Sequence, residues 1–318
     1  MTKHAEHVLA SLQCKQFGAR SNLAASWRRS HDRYGLNPFE ETRQNVIEQT
    51  DLNRRKEETT QFLKVAIPQL DKLFGLVGAS GCTVVLTDAD GIILEQRSSD
   101  SDQSDFQGWG LRPGASWSES SQGTNGIGTC LAENHITIID GDQHYLSKNI
   151  AMTCIGVPIH GAKGELIGVL DVSSARRDHS YAMTNLIAAT IKDAARRIET
   201  LNFRMQFAND RVVLAGPEDA AHNSLVAINS DDCIVGATRG ARKLFGWGLE
   251  HDLKPIAATD IFKDCDEFRG LVRGEKAALV KAITRSGGNM SAAANELGIS
   301  RATLYRRINR LGIEPPRQ

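Results

Sequence analysis

Residues Gly274–Ile313 read GEKAALVKAITRSGGNMSAAANELGISRATLYRRINRLGI, and their spacing predicts three short helices separated by two turns. Leu279 and Ile283 stand four apart on one stripe, and Gly287-Gly288 ends the first helix. Ser291 is placed to cap the second, in which Ala293, Ala294 and Leu297 face inward; Gly298 suits the left-handed position where a helix stops. Ser300 caps the third, whose Leu304, Ile308 and Leu311 recur at helical spacing. With those three turned to a core, Arg301, Tyr305, Arg306, Asn309 and Arg310 remain outside. This is the pattern of a helix-turn-helix. A small, alanine-rich second helix lets the third cross it closely, and the third offers its N-terminal half to a major groove.

Charge supports that reading. From Arg269 onward there are ten basic residues against three acidic ones, while the whole chain has a formal net charge of +0. The cations are therefore concentrated where phosphates would lie. The bland alternative, a solvated three-helix cap, requires the turn glycine, the A-x-x-L-G-I-S pattern and the local charge to coincide without purpose. Residues 274–313 resemble the DNA-binding module of the Fis family, with GISRATLYRRI carrying the match. The resemblance implies that Ser300, Arg301, Thr303, Tyr305 and Arg306 face double-stranded DNA. Tyr305 stands where Fis itself has a basic residue and where related activators have tyrosine. Ser291, Arg307, Asn309 and Arg310 complete the expected contact set.

At 318 residues, two or three domains are expected. The N-terminus, MTKHAEHVLA, lacks the apolar core of a signal peptide, and no uninterrupted apolar run is long enough for a bilayer. Six scattered cysteines with no C-x-x-C argue for reduced thiols in a cytoplasm rather than a disulfide frame or a metal site. No cofactor and no membrane partner are expected.

Residues 4–30 read as a helix followed by a turn at Gly35 and Pro38, and Asn45–Leu76 as a second helical stretch whose charged middle, NRRKEETTQ, is a solvated face or the outside of a helical pair. At Cys82 the period changes: CTVVLTDADGIILEQ is strand, Asp90-Gly91 turn, strand. Residues 98–109 read as an acidic, flexible connection. GASWSESSQGTNGIGTCLAEN passes into a helix near Ile127, and two more strands follow, Thr153–His160 and Glu165–Ser173, joined by Gly161–Gly164. A long helix over Tyr181–Asn209, with Leu186, Ile187, Ile191, Ala194, Ala195, Ile198, Leu201 and Met205 on one stripe, invites pairing with a second copy. The pattern is α+β: an antiparallel sheet flanked by helices, then a C-terminal all-α module.

Residues 4–200 are similar to the N-terminal half of AcoR-like regulators, whose sensor is a GAF domain. SWRRSHDRYGLNP, SSQGTNGIGTCLAE and TCIGVPIHGAKGELIGVLDVS carry the match. After residue 216, HNSLVAINSDDCIVGATRGARKLFGW repeats the strand–turn–strand rhythm and resembles the PAS-like fragment that follows the GAF domain there, with a short helix at Gly240–Trp247. The expected division is 1–77 helical, 78–209 GAF with its signalling helix, 210–268 PAS-like segment and linker, and 269–318 helix-turn-helix. Relatives of this type carry an ATPase domain between sensor and DNA-binding helices. Its phosphate loop ends in Gly-Lys-Ser/Thr, and this chain has no Gly-Lys dipeptide. It is expected to lack the motor and to act without ATP hydrolysis.

The candidate ligand pocket is the Ser120–Cys130 loop and helix start, closed against Cys154, Val157 and Asp171. Gly123, Gly126 and Gly128 permit close backbone approach, and free amides around Thr124, Asn125 and Ile127 would take an anionic or carbonyl oxygen. Trp117, His144 and Tyr145 suit the wall of a site for a small organic metabolite. The alternative is that the glycines only pack. GAF domains at large bind cyclic nucleotides, haem, bilins or small metabolites, so fold does not choose the ligand. One GAF lineage reduces methionine sulfoxide with cysteines; Cys130 and Cys154 are the available pair, but GTCLAE and MTCIGV supply no neighbouring cation. No enzymatic activity is expected. The reading is a homodimeric transcription regulator that binds DNA, senses a small metabolite and contacts RNA polymerase; the alternatives are thiol-redox sensing or a metabolite-sensing adaptor working through protein contacts.

Overall fold

The computed structural model describes residues 2–13, 21–39, 45–176, 180–216, 224–249, 253–262 and 270–313. They fall into two compact units, 1–208 with 214–225 and 237–252, and 209–213 with 226–236 and 253–318.

The first unit begins with α1 (Thr2–Gln13) and α2 (Asn22–Arg28), the latter running into a π turn at Arg29–Arg33, then α3 (Gln49–Glu58) and α4 (Thr60–Val77). The sheet follows: β1 (Cys82–Thr87), β2 (Ile93–Arg97), α5 (Gln103–Trp109), α6 (Glu119–Gln122), α7 (Gly126–Glu133), β3 (Thr137–Asp140), β4 (Thr153–His160), β5 (Leu166–Ser174) and α8 (Tyr181–Gln206). Strand order is β2-β1-β5-β4-β3, and the pairs are antiparallel. Every residue of β1 is buried, as a strand covered on both faces must be.

Alternation along each strand sorts side chains to the two faces. Val84, Leu86, Ile155, Val157, Leu170 and Val172 join Leu70, Leu73, Ile187, Ile191 and Ile198 in one core under α4 and α8. Val85, Cys154 and Val169 join Trp117, Ile127 and Cys130 in a second core under the loop and α7. The sheet is thus the middle layer of three.

Several expectations change. More than half of the connection expected to be flexible is α5, anchored by Phe106 at 0% exposure. The charged middle of α3–α4 is not simply solvated: Arg55 donates to Asp88 and Asp90 at 2.6 and 2.8 Å, and Lys56 pairs with Glu95 at 2.7 Å. On α8, Leu186 and Leu201 lie outside the buried stripe and are exposed. The short helix α9 (Arg239–Leu244) begins one residue before its expected start, with Thr238 as N-cap.

In the second unit are most residues of a small sheet, β6 (Arg211–Leu214), β7 (Leu225–Ile228), β8 (Cys233–Ala237) and β9 (Ile256–Ala257), in that order. It is followed by α10 (Ala258–Ile261), α11 (Gly270–Arg285), α12 (Met290–Glu296) and α13 (Arg301–Arg310). Leu279, Ile283, Ala293, Ala294, Leu304 and Ile308 form the core of the last three helices, and Gly298 at φ 66° makes the turn between α12 and α13. No described helix is long and apolar enough to cross a membrane.

Candidate functional site

The helix-turn-helix is built as its spacing predicts, with one correction. Asn289, not Ser291, caps α12: its side chain accepts from the amides of Ser291 and Ala292 at 3.1 and 3.2 Å. Ser291 lies one position inside the helix and is exposed. Ser300 caps α13, accepting from the Thr303 amide at 3.1 Å. Leu304 and Ile308 are buried, which turns Arg301, Tyr305, Arg306, Asn309 and Arg310 outward. The Arg301 guanidinium lies 5.6 Å from the Tyr305 ring centre, so the ring holds that side chain along the outer face. Arg307 and Arg310 both reach Glu275 on α11, whereas Arg301 and Arg306 have no carboxylate partner among the described residues. Thr303 and Arg307 are half-buried.

Val157 faces the core on the other side of the sheet and is no part of the pocket wall, but the loop residues singled out in the first unit converge on Cys154 and Asp171. Gly126 and Gly156 explain how: a Cβ on Gly156 would stand 2.2 Å from the Gly126 carbonyl oxygen, and one on Gly126 would stand 2.6 Å from Cys154 and 2.8 Å from Asp171 Oδ1. The two glycines let the start of α7 lie directly on β4 and β5. Asn125 caps α7, taking the amides of Ile127 and Gly128 at 2.9 and 2.8 Å, and donates to the Gly123 carbonyl at 2.8 Å. Those two amides are therefore not free, contrary to expectation. Gly123 abuts Tyr145, whose amide donates to the Thr124 carbonyl at 3.2 Å and whose hydroxyl donates to the Leu36 carbonyl at 2.6 Å. Trp117 is buried and donates to the Gly110 carbonyl at 3.1 Å.

A buried polar chain crosses this layer. Ser173 Oγ donates to Asp171 Oδ2 at 2.6 Å and lies 3.2 Å from Cys154 Sγ. His144 Nδ1 lies 3.0 Å from the Gly141 carbonyl and Nε2 lies 3.4 Å from Cys154 Sγ. Burial drives the His144 pKa down to about 4, so the ring is neutral; the carbonyl fixes the proton on Nδ1 and leaves Nε2 to accept from the thiol. Burial, with Asp171 nearby, pushes the thiols of Cys130 and Cys154 up, opposite to what a reactive thiolate needs. Burial raises the Asp171 carboxyl to about 7, opposed by the Ser173 hydrogen bond. Asp171 Oδ1 and both amide atoms of Gln122 and of Asn149 are buried with no protein partner among the described residues. Buried polar atoms of this kind ordinarily find a partner.

Sequence reasoning did not single out Glu119. It is 3% exposed and accepts from Ser26 at 2.5 Å and from Arg29 at 2.7 and 2.9 Å. Arg29 also pairs with Glu133 at 2.6 Å. Ser26 Oγ further meets Thr124 and Thr129, at 2.7 and 3.1 Å. Ser26 and Arg29 lie inside SWRRSHDRYGLNP, so the motif was visible; a partner some 90 residues away was not. Gln122, Asn149 and Ser173 carried no signal of their own. Among the described residues, no group of three acid, histidine or cysteine side chains is arranged to hold a metal ion.

Known proteins agree with this architecture. Residues 64–199 match the GAF domain family, and residues 272–311 match the family described as bacterial regulatory protein, Fis family. The acetoin catabolism regulatory protein of Cupriavidus necator is 29% identical over 68% of this chain and 33% of its own length. The acetoin dehydrogenase operon transcriptional activator AcoR of Bacillus subtilis is 27% identical over 70% of this chain and 36% of its own length. The chain thus spans about a third of each of these relatives. The crystal structure of the E. coli DhaR(N)–DhaL complex superposes on 75% of this chain and 80% of that chain at 13% identity and a TM-score of 0.53, a likeness of fold. The chain joins a GAF domain to a Fis-family helix-turn-helix, and over some two thirds of its length it is AcoR-like.

Proposed function

We propose that the protein is a DNA-binding transcription regulator whose α13 reads duplex DNA and whose GAF loop senses a small, uncharged or weakly anionic metabolite. The observation that carries the DNA half is the outer face of α13, where Arg301 and Arg306 stand exposed with no carboxylate partner among the described residues while Leu304 and Ile308 face the core. The remaining contact set is Ser291, Ser300, Thr303, Tyr305, Arg307, Asn309 and Arg310. What supports the sensing half is the set of buried, unpartnered polar atoms around the loop, Asp171 Oδ1 and the amides of Gln122 and Asn149. They suit a ligand that both donates and accepts hydrogen bonds, and no lysine or arginine belongs to that set. Acetoin, the compound in the relatives' names, is a neutral hydroxyketone of this class.

The protein acts as a homodimer on a roughly palindromic operator, since specific helix-turn-helix proteins usually pair two modules about one helical turn apart. With no Gly-Lys dipeptide it acts by occupancy, blocking or recruiting RNA polymerase, and not by ATP hydrolysis. Capture of genomic fragments by the purified chain supplies the operator; binding at fixed salt then tests the reading. Arg301→Ala and Arg306→Ala are each expected to weaken binding by roughly 1–3 kcal/mol, and unchanged affinity in both rejects the assignment. For the signal, acetoin is the probe: Gln122→Leu, at a buried amide with no protein partner among the described residues, is expected to abolish its effect while operator affinity and melting temperature stay intact. An unchanged response removes Gln122 from the sensing site, and loss of both with a lower melting temperature means that the loop serves packing alone.

A further inference from the structure

The first unit contains a concavity of about 280 Å³ that the regulatory reading does not use. It opens on the α8 side of the sheet: Val157 and Ala195, which line it, belong to the core under α4 and α8, whereas the loop lies over the opposite face. Its polar lining is strongly one-signed. Lys192 and Arg196 stand four apart on α8, and Arg239 and Lys243 stand four apart on α9. Like charges at that spacing repel each other along a helix, and here two such pairs surround one cleft. None of the four has a carboxylate partner among the described residues. Glu199 also lines the cleft, but it accepts from the His160 amide at 2.8 Å and lies 2.8 Å from His160 Nδ1.

We propose that this cleft binds a small organic dianion, a phosphate ester or a dicarboxylate, between α8 and α9. A concave site with one sign of charge focuses potential and concentrates the opposite ion, and lysine and arginine are the side chains that hold phosphate and carboxylate oxygens. Val157 and Pro158 supply an apolar wall for a short carbon skeleton. Because the cations come in equal number from two helices, an anion between them screens both repulsions and ties α9 to α8.

The test uses the full chain in metal-free buffer at pH 7.5, with glycerol 3-phosphate and succinate titrated separately against sodium chloride of matched ionic strength. Calorimetry and thermal unfolding are read together. At least one dianion is expected to bind one per chain and raise the melting temperature above the salt control; which one does so separates the phosphate source from the carboxylate source. Lys192→Gln with Lys243→Gln removes two exposed cations that line only this cleft, and is expected to weaken binding at least tenfold while the salt-control melting temperature stays within a degree or so. No shift with either anion, or equal affinity in the double variant, overturns the proposal. Displacement of the bound dianion by a random-sequence DNA duplex also overturns it, and assigns these cations to nucleic acid. The measurement requires neither an operator nor a loop ligand, so its failure and that of the regulatory reading are distinguishable.

Discussion

Asp171 sits on β5 between two hydrogen-bonded neighbours, opposite Val85 on one side and Gly156 on the other, and water does not reach its carboxyl. With a folded pKa raised to about 7 from 3.8, the native state holds a proton that the unfolded chain has released over that interval. Stability contributed by this group is therefore present at the acid end and lost as pH rises from about 4 to about 7, by an amount on the order of 4 kcal/mol. Asp171→Asn keeps the acceptor for Ser173 and removes the titration. Thermal unfolding across pH 4–8 is expected to show a variant whose stability relative to the parent grows with pH; a constant difference refutes the assignment. Caps provide a second check at this scale. Asn289→Ala is expected to cost the helix-turn-helix about 1 kcal/mol, and Ser291→Ala only a few tenths, measured by chemical denaturation.

Each element was legible to the degree that its signal was local. The Asp90-Gly91 hairpin and the three C-terminal helices follow from turn residues and apolar spacing within a dozen positions. Serine at 291 suits a cap by residue type, but Asn289, two residues earlier, has the extended backbone that capping needs. The α5 helix was missed because its acidic, serine-rich start hides the one residue that anchors it, Phe106. The edge strand β3 was missed because it is only four residues long and half exposed. In the candidate loop the residues were legible; the occupation of the helix-start amides by Asn125 was not, since it depends on one rotamer. For α13 the division of labour is testable. Leu304→Ala is expected to destabilise the module by roughly 2–5 kcal/mol, whereas Arg306→Ala leaves stability within about 0.5 kcal/mol and weakens only DNA binding.

At the scale of the molecule, α8 presents Tyr181 at 83% exposure and Leu186 at 63%, and α4 beside it presents Leu76 at 70%. An apolar surface shared by two adjacent helices fits pairing with a second copy. Light scattering at micromolar concentration is expected to give twice the chain mass of 34.7 kDa, and Leu186→Glu is expected to halve it. A monomeric parent chain removes the basis for a palindromic operator.

The Ser26–Arg29–Glu119 cluster has a bearing on where this molecule can be cut. The GAF family match begins at residue 64, yet a fragment excised there leaves behind the serine and the arginine that satisfy a carboxylate 3% exposed. The cut also bares Tyr145 and Leu146, which pack against Val8 and Trp27, and each such side chain is worth about 1.5–3 kcal/mol when buried, a large share of what holds a domain of this size together. The excised fragment is expected to be poorly soluble, and a fragment that keeps residues 1–63 to be soluble. Homology and autonomy thus draw different borders: evolution counts 64–199 as a module, while the chain's own packing makes residues upstream of 30 part of the same folding unit.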